Sequence, residues 1–446
     1  MKILQVVHTF PPYSFGGAEK YTFQLSKELS NRHEVHVLFP KGGDNSLRID
    51  ERRNGSLYLH EINLNESGFD LRKITKYGRI SQSYVDPTLD KLWKGFIEDL
   101  NPDIIHFQHL LNLSVGFINI VKELGIASVL TLHDFWFMCP TVQLIQYSKE
   151  MCEGPTPGIC RKCWTSRQSE LIAKEIGEQP LFDEIVLGMA KPYLNFINTD
   201  QAFEKRTRVM LESLLQIDRL IAPSNFLRSM YISHGLPEEK IHASHHGYDY
   251  DVFDSKLSKR KIGLGSKLIT FGYLGRIVPI KGVHILLEAF RNIQDNSSRL
   301  LIFGGYDENS EYFKELQELK GDRSDVQFMG MTTDIKKVFN TIDVLIFPSI
   351  WYENCPLVLS ESNIARVPII ASNLGAIPEF VHDGRNGLLF EPGNAGDLFA
   401  KMSEFIRNPD LVTKLYGDAT LSPPSITQQA TEIEKIYREL AYRGLS

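Results

Sequence analysis

The stretch Ile3-Leu4-Gln5-Val6-Val7-His8-Thr9-Phe10-Pro11-Pro12-Tyr13-Ser14-Phe15-Gly16-Gly17-Ala18-Glu19 decides the fold class. Its first five residues form a short apolar run of strand length, and the Pro-Gly segment that follows cannot extend it. Tyr21, Leu25 and Leu29 then recur at helical spacing, so a helix is expected from Ala18 to Leu29. Strand, glycine loop and helix in immediate succession are the unit from which parallel α/β sheets are built.

Outward from this unit the alternation continues. Val35 to Phe39, Ile104 to Phe107 and Val129 to Leu132 read as strands of one sheet. From Cys139 to about residue 215 the pattern fails, and an insertion, first irregular and then helical, is expected. Order resumes at Leu220-Ile221-Ala222, where Ser224 is placed to cap a helix towards His234 that Gly235 would end. The polar stretch Asp249 to Ser266 reads as a linker. A second series follows, with strands at Leu268 to Leu274, Leu300 to Phe303, Val326 to Phe328, Val344 to Phe347 and Ile369 to Ala371. A last helix is expected from Ile426 to Arg443. The layout is a domain over 1–250 carrying the insertion 139–215, a linker over 251–266, a second domain over 267–422, and a C-terminal segment 423–446 crossing back to the first.

The chain has 446 residues, enough for two or three domains at about 150 residues each. Hydrophobic residues make up 42% and charged residues 23%, ordinary values for a globular protein. The formal charge of -6 gives no reason to expect a nucleic-acid partner. No apolar run reaches the roughly 18 residues of a membrane span, and the opening run is too short for a secretion signal. A cytoplasmic location is the expectation.

Three loops carry candidate chemistry. In the first, Gly16 and Gly17 let backbone approach a ligand, and the helix start behind them offers free N–H groups to an anion. It lacks the spacing of a dinucleotide fingerprint, and a tight turn without a ligand reads equally well. In the second, Gly275-Arg276-Ile277-Val278-Pro279-Ile280-Lys281-Gly282, two cations five residues apart can clamp a diphosphate, or simply face solvent. In the third, Phe347-Pro348-Ser349-Ile350-Trp351-Tyr352-Glu353-Asn354-Cys355-Pro356-Leu357 continues to Glu361. Pro356 suits the first turn of a helix, so a helix start lies between Glu353 and Glu361. The two carboxylates could hold sugar and ribose hydroxyls. Glu353 could instead cap the helix, and Glu361 could be an exposed helical glutamate.

In order and spacing, these three loops resemble the group 1 glycosyltransferases, the large retaining family 4 with the GT-B fold. Pro378-Glu379, the run Asp383 to Gly393 and the segments Ile221 to Ser224 and His246 to Asp249 extend the resemblance over nearly the whole chain. It implies two Rossmann-like domains facing each other across a cleft. It implies that Arg276 and Lys281 bind the donor diphosphate, Glu361 the nucleotide ribose and Glu353 the transferred sugar. Gly16 and Gly17 would approach from the other domain, and His133 matches the family histidine at a strand end. Gly330 and Met331 match the segment against the base, while Asn354, Pro356 and Leu357 complete the donor loop. Many members carry glycines where this chain has Asn354-Cys355-Pro356, so the resemblance does not fix the sugar pocket. His245-His246-Gly247 stands where many have Pro-Asn-Gly.

The implied activity is retaining transfer from a UDP-, GDP- or ADP-sugar to a saccharide or lipid-linked acceptor, in polysaccharide or glycolipid assembly. The leaving diphosphate would be stabilised by the cations and the helix start, and no metal is required for transfer; the sequence has no convincing Asp-x-Asp motif at a strand end. Alternatives that keep the fold are an inactive nucleotide-sugar-binding regulator and a nucleotide-sugar isomerase or hydrolase. Lipid-linked acceptors imply peripheral contact at the inner face of the cell membrane. Arg72, Lys73, Lys76 and Arg79, and Lys205, Arg206 and Arg208, are the candidate basic stretches, with a solvated face as the plainer reading.

Cys139, Cys152, Cys160 and Cys163 have the irregular spacing C-x12-C-x7-C-x2-C. The last pair has the gap of a zinc knuckle, so a structural zinc is one reading; buried free thiols or labile disulfides are the others. Cys355 stands apart in the donor loop.

Overall fold

The computed structural model describes residues 1–14, 16–43, 47–65, 78–176, 180–250, 268–294, 297–415 and 422–443. The expected linker 251–266 and the basic residues Arg72, Lys73 and Lys76 lie outside the described residues. Contacts divide the chain into two units. One comprises Met1–Pro223, Leu227–Gly247 and Ile426–Ser446; the other comprises Ser224–Phe226 and Tyr248–Ser425.

The first unit opens with β1 (Lys2–Val6), α1 (Gly17–Leu29), β2 (Glu34–Gly43), β3 (Arg48–Asn54) and β4 (Leu57–Asn65). Then come α2 (Pro87–Leu100), β5 (Ile104–Phe107), α3 (Gly116–Glu123) and β6 (Ala127–Thr131). Three helices fill the insertion: α4 (Pro157–Ile176), α5 (Pro180–Ile197) and α6 (Asp200–Gln216). The unit closes with β7 (Arg219–Ala222), α7 (Asn225–Ser233), whose first residues group with the other unit, and β8 (Ile241–Ala243). The strand order is β3-β4-β2-β1-β5-β6-β7-β8. All neighbours are parallel except β3 and β4.

Sequence reading missed the β3–β4 pair, and the reason is chemical. β3 is Arg-Ile-Asp-Glu-Arg-Arg-Asn, mostly exposed, and pairs along one side only. Charge on an edge strand discourages pairing with other chains and removes the apolar signal from the sequence.

The final helix (Ile426–Arg443) belongs to the first unit and enters its core. Ile426, Ala430, Ile433 and Tyr437 pack with Ile3, Val7, Tyr21, Leu25 and Ile104. It also explains a polar residue inside the first strand. Gln5 is fully buried, and its amide donates to the Tyr437 hydroxyl at 3.1 Å, which also meets His106 Nδ1 at 2.6 Å. A buried amide and imidazole are tolerated because each finds a partner.

The basic stretch at 205–208 is corrected at its centre. Arg206 is 1% exposed, turned inward from α6 to donate to the Trp136 carbonyl at 2.5 Å, with the rings of Tyr84 and Trp136 about it. It offers nothing to a lipid surface.

The second unit contains β9 (Ile269–Leu274), α8 (Val283–Arg291), β10 (Ser298–Phe303), α9 (Glu311–Lys320), β11 (Val326–Gly330) and α10 (Ile335–Thr341). It continues with β12 (Val344–Phe347), α11 (Leu357–Ala365), β13 (Ile369–Ser372), α12 (Ile377–Phe380), β14 (Gly387–Phe390), α13 (Ala395–Arg407) and α14 (Leu411–Lys414). The helix already described as Ile426–Arg443 is α15. The sheet is parallel throughout, in the order β11-β10-β9-β12-β13-β14. Its core joins Phe271, Leu286, Phe290, Leu300 and Ile346, all fully buried. Each such side chain contributes about 1.5–3 kcal/mol by burial, and Phe290→Ala would cost about 3–5 kcal/mol.

Both sheets have one strand from which the order runs in opposite directions. These switch points lie between β1 and β5 and between β9 and β12. In open α/β sheets, ligands bind beyond the carboxyl ends of the strands at such points. No helix among the described residues is long and apolar enough to cross a membrane.

Candidate functional site

The Arg276–Gly282 loop leaves β9, and the Pro348–Pro356 loop leaves β12, its sheet neighbour. Adjacent strands therefore deliver both motifs to the switch point of the second unit. The loops are knitted together: Ile350 N donates to the Ile280 carbonyl at 3.0 Å. Gly282 closes the first loop at φ 69°, where a Cβ would stand 1.9 Å from the Pro348 carbonyl oxygen. Only glycine fits both the left-handed backbone and that approach.

Lys281 and Glu353 are brought into contact. Lys281 Nζ donates to Glu353 Oε1 at 2.6 Å, and both side chains are mostly buried. Ser349 Oγ and Trp351 Nε1 donate to the same oxygen at 2.9 and 2.8 Å. The Lys281 ammonium also lies 5.0 Å from the Trp351 ring centre and 5.8 Å from that of Phe347. The backbone of Glu353 is fixed as well: its carbonyl accepts from Ala376 N, and Gly375, at φ 59°, leaves room against it.

Glu353 is thus no helix cap. The start of α11 has Pro356 at the N-cap without a side-chain cap bond, and Leu357 is the first helical residue. The carboxylate is instead taken by donors from its own loop and from Lys281. Glu361 is 3% exposed on α11, so it is not a solvated helical glutamate. It lies within electrostatic range of the Tyr248 hydroxyl, whose pKa burial raises well above the ordinary tyrosine value. Asn354 is buried beside Glu353.

The remaining residues of this unit are more open. Arg276 is exposed and enters no ion pair among the described residues. Its carbonyl accepts from the Tyr273 hydroxyl at 2.7 Å. Gly330 ends β11 at φ 73°, and Met331 beyond it is 82% exposed. Both lie at the carboxyl edge, two strands from β9.

In the first unit, His133 follows β6, with Nε2 2.8 Å from Gln108 Oε1 and Nδ1 3.3 Å from His246 Nε2. Burial, then the neighbouring His246, holds its pKa well below the ordinary histidine value. A second pair joins the switch point. The rings of His8, after β1, and His109, after β5, have centres 4.5 Å apart, and His109 Nε2 meets Asp134 Oδ2 at 2.9 Å. Burial pushes the His8 imidazole down to about 3, so it is neutral near pH 7.

At the glycine loop, neither Gly16 nor Gly17 has a positive φ. A Cβ on Gly16 would meet Glu19 Oε2 at 2.5 Å. The carboxylate of Glu19, in the first turn of α1, accepts from Ser14 Oγ at 2.9 Å and lies 3.5 Å from His8 Nε2. The anion at this helix start is therefore the chain's own. Sequence reading also passed over Ser349 and Trp351, although both lie within four residues of Glu353 in the quoted motif.

The four clustered cysteines are all free thiols. Cys139 Sγ lies 3.2 Å from Thr141 Oγ1, Cys152 Sγ donates to the Gly154 carbonyl, and Cys163 Sγ accepts from Tyr147 N. Among the described residues no three His, Cys, Asp or Glu side chains form a group that could hold a metal ion.

Two family models match this chain: Glycosyl transferases group 1 over residues 254–420, and Glycosyltransferase Family 4 over residues 15–169. An uncharacterised glycosyltransferase of Methanocaldococcus jannaschii is 29% identical over 169 residues, 35% of this chain and 43% of that protein. A D-inositol 3-phosphate glycosyltransferase of a Mycobacterium strain is 25% identical over 216 residues, 46% of each chain. The chain thus spans a little under half the length of these curated relatives. The crystal structure of Anabaena HepE with UDP superposes with a TM-score of 0.66 at 18% identity, covering 99% of this chain and 100% of that one, which shows the fold. Two parallel α/β sheets in one chain, and two family models that between them take in both the glycine loop and the paired carboxylates, give one answer: the chain belongs to the group 1 glycosyltransferases, with the GT-B fold.

Proposed function

We infer that this chain is a retaining glycosyltransferase that moves a sugar from a nucleoside diphosphate onto a saccharide or lipid-linked acceptor. The observation that carries the reading is the Lys281–Glu353 pair at the switch point of the second sheet. A cation and a carboxylate held side by side match the two halves of the donor, diphosphate and sugar. Lys281 and the exposed Arg276 take the diphosphate, and the N-terminus of α11 faces it across Pro356 and Leu357. Glu353 and Asn354 take sugar hydroxyls, Glu361 takes the ribose, and Gly330 with Met331 lies against the base. In the first unit, His133 and the Gly16–Gly17 loop carry the roles that the family resemblance gives them.

The chemistry follows the bond that breaks. As the anomeric carbon–oxygen bond lengthens, negative charge grows on the diphosphate, where the two cations and the helix start stabilise it. The acceptor oxygen bonds to the anomeric carbon from the face the diphosphate leaves, so configuration is retained. The acceptor proton passes to the departing phosphate oxygen, and the charges balance without a metal. The setting is polysaccharide or glycolipid assembly in the cytoplasm, with peripheral contact at the inner face of the membrane where the acceptor is lipid-linked.

The similar Anabaena HepE was solved with UDP, so UDP-sugars come first among donors. The test is calorimetry with UDP-, GDP- and ADP-sugars on wild type and Lys281→Ala, followed by NMR of the product anomer. One donor bound by wild type and lost in the variant, with retained configuration, supports the reading. Binding of no nucleotide sugar, or an inverted product, overturns it.

A further inference from the structure

Three donors converge on a single oxygen of Glu353. Lys281 Nζ, Ser349 Oγ and Trp351 Nε1 all reach Oε1, at 2.6, 2.9 and 2.8 Å. Among the described residues none reaches Oε2. A carboxylate has about four acceptor positions, so the second oxygen keeps its full capacity. The same indole that donates to Oε1 also lies under the ammonium, 5.0 Å from ring centre to Nζ. One side chain therefore touches both members of the pair by two different interactions.

That division matters for the ammonium. Lysine has three N–H donors, and contact with a ring face uses none of them. One goes to Glu353, and two remain for diphosphate oxygens. Without the ring, the ammonium is left with the Glu353 oxygen and the Phe347 ring, 5.8 Å away, and its four-carbon stem is held less firmly in place. Without the indole N–H, the carboxylate would lose one of the two neutral donors that keep Oε1 turned towards Lys281.

We propose that Trp351 is a positioning residue. Its ring and its N–H hold Lys281 and Glu353 as a pair, so that Glu353 presents Oε2 to a hydroxyl of the donor sugar. This rests on the donor-site reading above. It adds that the sugar must carry a hydroxyl able to donate to a fixed carboxylate oxygen, and that nucleotide and sugar binding separate at this one side chain.

The test uses the full chain with Trp351→Phe, which keeps a ring and removes the N–H, and Trp351→Leu, which removes both. With UDP alone as the calorimetric probe, the Phe variant should bind within about twofold of wild type and the Leu variant about tenfold more weakly. With the donor sugar, the Phe variant should lose about tenfold in kcat with KM little changed. Trp351 is the sole tryptophan after residue 164, and its indole ¹⁵N–H signal is assigned by its absence from the Phe spectrum. That signal should move in Glu353→Gln and on addition of UDP.

Wild-type kcat and KM in the Phe variant, or an indole signal blind to both perturbations, overturns the proposal. If the Leu variant fails to fold, the Phe variant and the indole signal still decide. If wild type turns over no nucleotide sugar, the donor reading fails, while the Glu353→Gln spectrum still decides whether Trp351 holds the carboxylate.

Discussion

Lys281 Nζ and Glu353 Oε1 stand 2.6 Å apart because their loops leave neighbouring strands, β9 and β12, of one parallel sheet. The pair is mostly buried, at 16% and 7% side-chain exposure, so its members are not interchangeable with solvent. Lys281→Ala leaves the carboxylate with neutral donors only and should cost about 1–2 kcal/mol of stability, below the figure for a fully buried pair. UDP affinity should fall by about tenfold or more, since charge-assisted bonds to phosphate are lost. Glu353→Gln keeps an acceptor for Trp351 and Ser349 and frees the ammonium. UDP should then bind at least as well, while transfer falls by about tenfold or more. Calorimetry beside a turnover assay separates the two; parallel losses in both variants would contradict separate roles.

The histidines of the first unit set a pH dependence. Burial lowers His8, His106 and His246 to about 3, and His133 well below its ordinary value. The folded chain keeps these rings neutral, whereas in the unfolded chain they protonate near 6.5. Below that value the unfolded state binds more protons, so stability is complete above about pH 6.5 and declines as pH falls towards 3. A ring that stays neutral through that window, as His8, His106 and His246 do, contributes up to roughly 1.4 kcal/mol per pH unit. Urea titrations from pH 7 to pH 4.5 should show a steep decline. His106→Gln should flatten it by about one proton, although it also weakens the unit at pH 7 by disturbing the bonds to Tyr437 and Thr131. An unchanged slope would mean that His106 is protonated in the folded chain.

What the sequence made legible follows from how local each signal is. β1, the glycine loop and α1 were readable because apolar period and turn chemistry are encoded within about twenty residues. The Arg276–Lys281 and Glu353–Glu361 loops were readable as charge at fixed spacing. That Lys281 pairs with Glu353, 72 residues away, depends on strand order, which no window contains. β3 was invisible because its stability comes from pairing with β4 and its side chains are those of a surface. Arg206 read as a surface charge because three cations within four residues resemble a solvated helix face; its turn of α6 faces Trp136 and Tyr84. At Gly16 the composition pointed to an anion at the helix start, and the structure supplies one from Glu19, three residues on.

Gly282 tests how far the donor loop depends on backbone. Its φ of 69° costs an alanine about 1 kcal/mol, and the Pro348 carbonyl 1.9 Å from the added Cβ forces backbone, not a flexible side chain, to move. Gly282→Ala should lower stability by about 2 kcal/mol or more and weaken UDP binding, because Lys281 precedes it directly. Gly321→Ala is the control: its φ is 56°, yet nothing lies within 4 Å of the added Cβ. It should show the backbone cost alone and leave UDP affinity intact. Equal effects of the two variants on UDP binding would mean that the contact with Pro348 has no part in placing Lys281.

The four clustered cysteines give the last prediction. Burial raises the thiols of Cys152 and Cys163 and pushes that of Cys160 up to about 12, so these three are protonated near pH 7. Protonated, buried thiols react slowly with charged thiol reagents, because the thiolate is the nucleophile. The native chain should therefore react at these positions only as it unfolds; and because no three His, Cys, Asp or Glu side chains among the described residues form a group that could hold a metal ion, it should contain less than one zinc per chain and keep its Tm when treated with a chelator. The neighbourhood makes the opposite result informative. The Arg206 guanidinium lies within electrostatic range of Cys139 and Cys160, and its Nε and Nη1 have no hydrogen-bond partner among the described residues. A buried cation so placed would be balanced by thiolates drawn together on a metal. One tightly held zinc per chain, lost together with stability on chelation, would make the four thiols its ligands and Arg206 their counter-charge.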